Sequence, residues 1–143
     1  DSTLIDHVIN AHLLSNNDYT SNCLKSSFPD GLDTEVISKH ALLDAYKYAK
    51  KPSELEHVTP YICNNPQKYK LQNIQSETDL SNHRWTVDEP EDFALISQNH
   101  YFNYQDILHL LSMKPELSSI NAQFSRNEGM LKSLKQDKEE GYE

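Results

Sequence analysis

The stretch RWTVDEPEDF, residues 84–93, says most about the fold. Its first four residues suit a short β-strand, and the acidic residues and proline that follow are typical of a helix start. A strand that leads directly into a helix is the repeating unit of an α/β protein. The sequence therefore predicts an α/β fold in which Asp88 directly follows a strand.

Asp88 has two interpretations at this position. In open α/β sheets ligands collect at the carboxyl ends of strands, and a carboxylate there can help to hold magnesium against phosphate oxygens. Alternatively, Asp88 is only the N-cap of the helix, with Pro90 in the first turn and Glu91 closing a capping box. The spacing by itself favours the cap.

Hydrophobic periodicity and turn residues predict the elements on either side of residues 84–93. The predicted strands cover residues 19–24, 32–37, 69–74 and 84–87. Three helices are predicted before residue 84: residues 3–15 after a Ser2 cap, residues 39–50 after a Ser38 cap, and residues 53–62. Three more follow: a helix from Asp88 onward, a helix after an Asn103 cap, and residues 115–124. The helix from Asp88 onward has Phe93, Ile96 and His100 on one face. Three or four short strands are few for a complete doubly wound sheet, so we expect an incomplete sheet.

Three local features are predicted within this frame. Ser53 and Glu56 match a capping box, and Pro60 should kink or shorten the helix that they open. Trp85 is expected in the core, two residues before Val87 in a buried strand. The buried stripe of the second helix is predicted to be Leu42, Ala45, Tyr46 and Ala49.

The composition excludes several classes of function. Asp and Glu outnumber Lys and Arg by 22 to 13, so no basic surface for nucleic acid is expected. No apolar run is long enough to span a membrane. Cys23 and Cys63 are interpreted as free thiols of a cytoplasmic protein, with a disulfide left open. The three glycines form no phosphate-binding loop, so a bound nucleotide would need a loop from outside this chain. The start at Asp1 is interpreted as a cut in a longer protein.

Polar residues outside residues 84–93 are candidates for a sugar site. Asp30, Asp33 and Glu35 could line a pocket, with Asp33 and Glu35 on one face of a strand, or could form a solvated turn and strand edge. Glu56 is a candidate sugar ligand, although capping would explain it equally well. His57 could orient a substrate or carry a proton, or could make a structural hydrogen bond.

Arg84 could bind a sugar carboxylate through two parallel hydrogen bonds. The simpler interpretation, a pair with a surface acid, is favoured because the chain is rich in Asp and Glu.

Several segments together resemble the sugar cytidylyltransferases, the family that activates acidic sugars such as Kdo and sialic acid with CTP. The resemblance is closest to the group named for spore coat polysaccharide biosynthesis protein F. The segments that carry it are RWTVDEPEDF at 84–93, FPDGLDTEV at 28–36, EHVTPYI at 56–62 and RNEG at 126–129. Leu55 departs from the arginine common before Glu-His in that group, which leaves the exact sugar open.

The resemblance implies the C-terminal part of a Rossmann-like nucleotide-diphospho-sugar transferase fold, which we assign to residues 1–125. The charged composition of residues 126–143, poor in large apolar side chains, predicts a frayed tail. The resemblance also implies that a sugar hydroxyl attacks the α-phosphate of CTP with magnesium, and that Asp88 is the second of two metal-holding aspartates. CTP and an acidic or modified sugar are then the expected substrates, and the exposed edges of an incomplete sheet predict a homodimer. The alternative is a non-catalytic interaction domain of the same fold.

Overall fold

A small three-stranded sheet organises the chain in the computed structural model, which describes residues 1–97 and 103–142. The strands are β1 (Tyr19–Ser21), β2 (Glu35–Ile37) and β3 (Leu71–Asn73), in the order β2-β1-β3. The central strand β1 is antiparallel to β2 and parallel to β3, and all three of its residues are buried. Mixed strands and helices with a small, incomplete sheet confirm the predicted α/β class.

Helices precede, separate and follow the strands along the chain. They are α1 (Ser2–Ser15), α2 (Lys39–Tyr48), α3 (Pro52–His57), α4 (Pro60–Cys63), α5 (Pro90–Ile96), α6 (Tyr104–Met113), a 3₁₀ helix (Pro115–Ser119) and α7 (Glu128–Glu139). The 3₁₀ helix covers the first half of the helix predicted at 115–124, and the prediction is wrong for residues 120–124, which form turns and a bend. His100, predicted to extend the face of α5, lies outside the described residues. No helix in the two described ranges is long and apolar enough to cross a membrane.

The fourth predicted strand, at 84–87, is reduced to a single bridge. Asp30 and Arg84 pair in parallel, with the Asp30 amide donating to His83 O and the Trp85 amide donating to Asp30 O. Trp85 is buried as predicted, but the side chain of Val87 is 57% exposed. The prediction of a buried strand is therefore wrong at Val87, because the chain leaves the bridge immediately after Trp85.

Two of the predicted helix caps are confirmed. The Ser38 hydroxyl accepts a hydrogen bond from the Ala41 amide, and the Asn103 side chain accepts one from the Asp106 amide. At the first helix the cap is Asp1, whose carboxylate accepts from the Leu4 amide, and Ser2 is already helical. Local sequence signals thus located these helix starts to within one residue.

The capping box predicted from Ser53 and Glu56 is wrong. Proline at the first helical position moves the start of α3 to Pro52 and makes Lys51 the N-cap. The backbone amides of Lys50 and Lys51 then donate to Glu54 Oε2, at 3.0 and 3.3 Å. Ser53 and Glu56 are thereby left for partners elsewhere in the chain.

A bend at Val58 separates α3 from α4. Val58 has a φ of 65°, in a region that side chains branched at Cβ rarely adopt, and Pro60 is the first residue of α4. The break predicted from Pro60 is confirmed. It places His57 at the end of one short helix and Thr59 directly before the next.

The core consists of three clusters of buried side chains, one beneath the sheet and α2, one between α1 and β3, and one around Trp85. Helix α2 faces its cluster with Ala41 and Ala45. The predicted stripe is wrong at Leu42 and Tyr46, whose side chains are exposed. The close approach through two alanines rotates the larger side chains toward solvent.

Residues 128–139 form a docked helix where a frayed tail is predicted. The buried Asp137 carboxylate accepts hydrogen bonds from the Ser53 amide at 2.9 Å and the Ser53 hydroxyl at 2.5 Å. Burial alone would raise the pKa of Asp137, but the two bonds from Ser53 outweigh it, so the pKa lies below its usual value. A hydrogen-bond partner 84 residues away in sequence, Ser53, therefore anchors this helix.

Candidate functional site

Arg84 and Asp92 form a buried ion pair at the start of α5. Arg84 Nε donates to Asp92 Oδ1 at 3.0 Å, and Arg84 Nη2 donates to Asp92 Oδ2 at 2.9 Å. The side chain of Asp92 is fully buried and that of Arg84 is 13% exposed. Two parallel charge-assisted bonds fix the guanidinium, so Arg84 pairs with an acid as favoured, and the main partner is the buried Asp92, with the exposed Asp88 as a second partner.

Asp92 also performs the capping that the sequence assigns to Asp88 and Glu91. Its Oδ2 accepts from the Asp88 and Glu89 amides at 3.2 and 3.1 Å, and Glu89 is the N-cap residue. Asn121 Nδ2 donates to Oδ1 at 2.7 Å. The Arg84 guanidinium, followed by these donors, holds the pKa of Asp92 well below its usual range. The capping interpretation of Asp88 is therefore wrong.

Asp88 instead points toward solvent beside this pair. Its side chain is 68% exposed, and its Oδ2 accepts from Arg84 Nη2 at 3.1 Å. Among residues 1–97 and 103–142, no group of three His, Cys, Asp or Glu side chains could hold a metal ion. Asp88 thus fits the role of one carboxylate ligand beside phosphate oxygens, and does not form a self-sufficient magnesium site.

The remaining donors of Arg84 are engaged as well. Arg84 Nη1 lies 3.5 Å from Asp30 Oδ2 and 3.4 Å from Ser125 O. A sugar carboxylate at Arg84 would have to displace one of these contacts. The hydrogen bond to Asp92 also raises the pKa of Arg84 above its ordinary value, so the charge is permanent.

A second arginine, Arg126, continues the network on the other side of Asp30. Arg126 Nη1 donates to Phe28 O at 3.0 Å, Nη2 donates to Asp33 Oδ1, and Nε lies 3.9 Å from Asp30 Oδ1. Burial raises the pKa of Asp30, and the Arg126 charge opposes that rise. The two arginines therefore connect Asp30, Asp33 and Asp88 through direct contacts.

Asp33 also borders a cleft of about 600 Å³, which we call the Glu35 cleft. Its lining includes Asp33, Glu35 and His57 from the predicted set, with Tyr19 and Thr59 beside them. Strand β2 begins at Glu35, so Asp33 precedes the strand and the prediction of a shared strand face is wrong. Both carboxylates nevertheless face the same space.

Glu35 is held in this cleft by two neutral donors. Its Oε1 accepts from the Tyr19 hydroxyl at 2.6 Å and from the Thr59 hydroxyl at 3.3 Å. Burial, followed by the bond to Glu35, raises the pKa of Tyr19, so its hydroxyl remains protonated. The carboxylate is thus oriented by two neutral hydroxyl groups.

Helix α7 positions the last two predicted residues. The Ser133 hydroxyl bridges them, with a hydrogen bond to Glu56 Oε2 and another, at 3.0 Å, to His57 Nε2. His57 lies in the lining of the Glu35 cleft, whereas Glu56 is outside that lining and its side chain is 61% exposed. The structure thus supports a structural hydrogen bond for His57 and places Glu56 beside the cleft.

Both cysteines are free and also line the Glu35 cleft. Burial raises the pKa of each thiol to about 11. Since the thiolate is the nucleophile, neither Cys23 nor Cys63 is suited to nucleophilic chemistry at neutral pH.

Sequence reasoning missed four residues of this region: Tyr19, Thr59, Asp92 and Arg126. Thr59, Asp92 and Arg126 stand inside the segments 56–62, 84–93 and 126–129, so the segments were singled out although these side chains were not. Tyr19 gave no local signal, because its role depends on a Glu35 partner on the neighbouring strand.

Four segments of the sequence therefore meet on one side of the molecule. Segments 28–36, 84–93 and 126–129 are joined through Arg84 and Arg126, and segment 56–62 faces segment 28–36 across the Glu35 cleft.

A solved structure of a cytidylyltransferase from Leptospira borgpetersenii superposes on 88% of the chain with a TM-score of 0.78 and 26% identity. Spore coat polysaccharide biosynthesis protein SpsF from Bacillus subtilis is 32% identical over 99 residues, 67% of this chain. The chain belongs with the sugar cytidylyltransferases. An uncharacterised protein from Methanocaldococcus jannaschii is 33% identical to this chain over 127 residues, which is 83% of the chain.

The chain spans only about half the length of these relatives: 51% of the M. jannaschii protein, 40% of SpsF and 56% of the Leptospira cytidylyltransferase. No family model matches the chain. The cytidylyltransferase fold thus accounts for most of this chain, and for part of each related protein.

Proposed function

We propose that the chain is the sugar-side portion of a nucleotidyltransferase that couples a sugar to CTP and yields a CMP-sugar and pyrophosphate. The observation that supports this proposal most directly is the meeting of the four segments 28–36, 56–62, 84–93 and 126–129 around one cleft and one arginine pair. In the same proposal the product serves surface polysaccharide or glycan synthesis in the cytoplasm, and the protein acts as a homodimer.

In the proposed reaction a sugar hydroxyl oxygen bonds to the α-phosphorus of CTP, the bond from that phosphorus to the bridging oxygen breaks, and pyrophosphate leaves. The protein contributes mainly by positioning the reactants. Glu35 would accept hydrogen bonds from the sugar, and Asp33 and His57 would complete the wall of the cleft. The hydroxyl proton would pass to solvent or to His57, which stands in the lining of the cleft.

Magnesium would be held by Asp88 together with phosphate oxygens of the nucleotide, and would supply positive charge against the charge that develops on those oxygens. Asp88 is suited to this role because its side chain is exposed and is anchored on one side only, by Arg84. Arg84 fixes the direction of the carboxylate from within the fold.

Pyrophosphate release by the full-length protein with CTP, magnesium and a panel of sugars tests the proposal. Asp88→Asn should lower turnover at least about 100-fold, because one electrostatic contact in the transition state contributes about 2.7 kcal/mol or more. The unfolding free energy should change by less than about 1 kcal/mol, since Asp88 forms only an exposed ion pair. Near-normal turnover in Asp88→Asn would remove Asp88 from the reaction.

A second candidate, a non-catalytic interaction domain, is favoured by one feature. A groove of about 470 Å³ between α2 and α3 is lined mainly by apolar side chains, among them Leu43, Tyr46 and Leu55. Exposed apolar surface of this kind is typical of a contact with another protein. Absence of pyrophosphate release with every sugar, from a folded full-length protein, would favour this candidate.

A further inference from the structure

The hydroxyl group of Ser133 on α7 contacts the end of α3 and its own helix. Its oxygen lies within hydrogen-bond distance of Glu56 Oε2, of His57 Nε2 at 3.0 Å and of Gly129 O at 3.1 Å. The side chain of Ser133 is buried. These three contacts therefore decide where its single hydrogen is directed.

The contacts of Ser133 also determine which nitrogen of His57 carries a hydrogen. An ionised carboxylate and a backbone carbonyl accept hydrogen bonds and cannot donate them. The hydroxyl hydrogen of Ser133 is therefore directed to Glu56 or to Gly129 O, and its oxygen accepts from His57 Nε2–H. In a neutral imidazole with hydrogen on Nε2, the lone pair is on Nδ1.

The position of His57 brings this lone pair to the substrate side of the molecule. His57 is the last residue of α3, and its ring is bonded to α7 through Ser133. The ring also lies in the lining of the Glu35 cleft and is 25% exposed. A general base must stand within reach of the proton that it removes, and a residue of the cleft wall meets this condition.

We propose that His57 Nδ1 is the general base that takes the proton of the attacking sugar hydroxyl, with Ser133 and Glu56 as positioning residues. This inference rests on the proposed function. The O–H bond of the sugar breaks, the proton passes to Nδ1, and the electron pair left on the oxygen forms the bond to the α-phosphorus. The electron pair of the broken bond between phosphorus and the bridging oxygen leaves with pyrophosphate.

The same contacts stabilise His57 after it has accepted the proton. The ring then carries a positive charge, and Glu56 Oε2 lies 3.8 Å from its Nε2. Ser133 stands between the two groups, accepting from Nε2–H and able to donate to the carboxylate. A carboxylate behind an imidazole orients the ring and stabilises the imidazolium in the same way in other enzymes.

His57→Gln removes the base and keeps the contact with Ser133. The glutamine amide can donate to Ser133 from the position of Nε2, but it has no nitrogen with a lone pair for a proton. In the full-length protein, kcat for pyrophosphate release should fall at least about 100-fold and KM should change less than about threefold, because general base catalysis contributes about 10²–10⁴-fold. His109→Gln, at an exposed position of α6, is the matched control and should leave kcat unchanged.

Free imidazole gives a readout that a purely structural role of His57 would not change. In His57→Ala, added imidazole should raise kcat at least about tenfold, since a base from solution can enter the space left by the ring. Glu56→Gln keeps an acceptor for Ser133 but removes the charge that faces the imidazolium, so it should lower kcat about tenfold with KM unchanged. Glu116→Gln, on the exposed surface of the 3₁₀ helix, is its control and should have no effect.

The tautomer is measured separately, by proton–nitrogen correlation NMR of the histidine rings in the full chain, at a pH where the rings are neutral. Nε2 of His57 should carry the hydrogen. Hydrogen on Nδ1 of the neutral ring would overturn the inference, as would near-normal kcat in His57→Gln or a lack of response of His57→Ala to imidazole.

These outcomes separate the inference from the proposed function. An active wild-type protein whose His57→Gln variant keeps its turnover retains the proposed function and loses only the assignment of the base. A wild-type protein that releases no pyrophosphate with any sugar loses the proposed function, and the proton transfer with it.

Discussion

Asp92 supports a buried guanidinium and the first amides of α5 at the same time. Replacing it with Ala removes every acceptor and leaves Arg84 buried without its main partner. Breaking a buried ion pair by removing one member costs about 3–5 kcal/mol. We therefore expect Asp92→Ala to lower the free energy of unfolding by about that amount, measured by urea denaturation followed by circular dichroism.

The matched control is Asp6→Ala, at an exposed position of α1. A surface change of this kind usually alters the unfolding free energy by less than about 0.5 kcal/mol. If Asp92→Ala and Asp6→Ala gave the same small loss, the Arg84–Asp92 pair would not be a main support of this region.

The same pair predicts how stability depends on pH. The folded-state pKa of Asp92 lies below its unfolded value of about 3.9, so the folded protein binds fewer protons there. The contribution is complete above about pH 3.9 and is lost as pH falls through the lower folded-state pKa. The contribution of Asp30 to stability changes with pH in the opposite direction, because burial raises its folded-state pKa.

We therefore expect the urea midpoint of the wild type to fall steeply below about pH 4, and the fall to be shallower in Asp92→Asn. Asp6→Asn should keep the steep profile. Identical slopes in Asp92→Asn and the wild type would mean that other carboxylates control acid unfolding.

At the residue scale, the sequence correctly located the start of a capped helix but assigned the capping to the wrong carboxylate. The run of residues 84–93 signals a capped helix, but four acidic residues within it could each cap. Asp92 takes the role because it also meets Arg84 and Asn121, and Asn121 stands 29 residues away. Local spacing carries no information on such a partner.

At the scale of elements, the docking of α7 on α3 depends on Asp137. Asp137→Ala should free the Ser53 amide and hydroxyl, so hydrogen exchange of the α7 amides should accelerate at least about tenfold, which corresponds to about 1.4 kcal/mol of local opening. Hydrogen exchange read by NMR or mass spectrometry measures it. Glu139→Ala, at an exposed position of the same helix, should leave the exchange rates nearly unchanged.

An outcome in which both variants exchange at the wild-type rate would show that Asp137 is not needed to hold α7, which also contacts Glu56 and His57 through Ser133. Loss of protection throughout the chain in Asp137→Ala would instead show that α7 unfolds together with the core.

Element starts were predictable wherever the signal was local. Ser38 and Asn103 cap their helices as expected, since each bond spans three residues. The tail was not predictable, because residues 126–143 are polar and the partner of Asp137 is Ser53. Strand lengths were overestimated for a related reason: only three residues of each strand find a neighbour in this small sheet.

For the whole molecule, the exposed edges of the sheet and the groove between α2 and α3 predict self-association. The groove presents Leu43, Tyr46 and Leu55, with side chains 56%, 89% and 63% exposed. We expect the chain to dimerise at micromolar concentration in light scattering, because burial of apolar area contributes about 25 cal/mol per Å². Leu43→Glu should shift the population to monomer by placing a charge in the groove.

Leu14→Glu is the comparison, since Leu14 is also an exposed leucine but lies on α1, away from the groove. It should leave the dimer intact. A wild-type chain that stays monomeric at these concentrations contradicts the proposed homodimer, and a dimer insensitive to Leu43→Glu places its interface elsewhere.

The family resemblance was predicted from the order of the motifs more than from hydrophobic periodicity. Segments 28–36, 56–62, 84–93 and 126–129 resemble one family, and the structure brings them to one side. The cleft itself was not predictable, because its lining combines residues of β2, α3 and α7, which are far apart in sequence.

The backbone conformation of Val58 lowers the stability of the folded chain. A residue branched at Cβ with a φ of 65° stores on the order of 1–3 kcal/mol of backbone strain. That bend sets the angle between the residues before and after it, His57 and Thr59, both on the cleft wall. Glycine at position 58 would remove this strain, and a higher temperature of growth would favour that change. A residue with a branched side chain keeps the bend rigid. A protein from a hot habitat would therefore be under two opposing selection pressures at position 58.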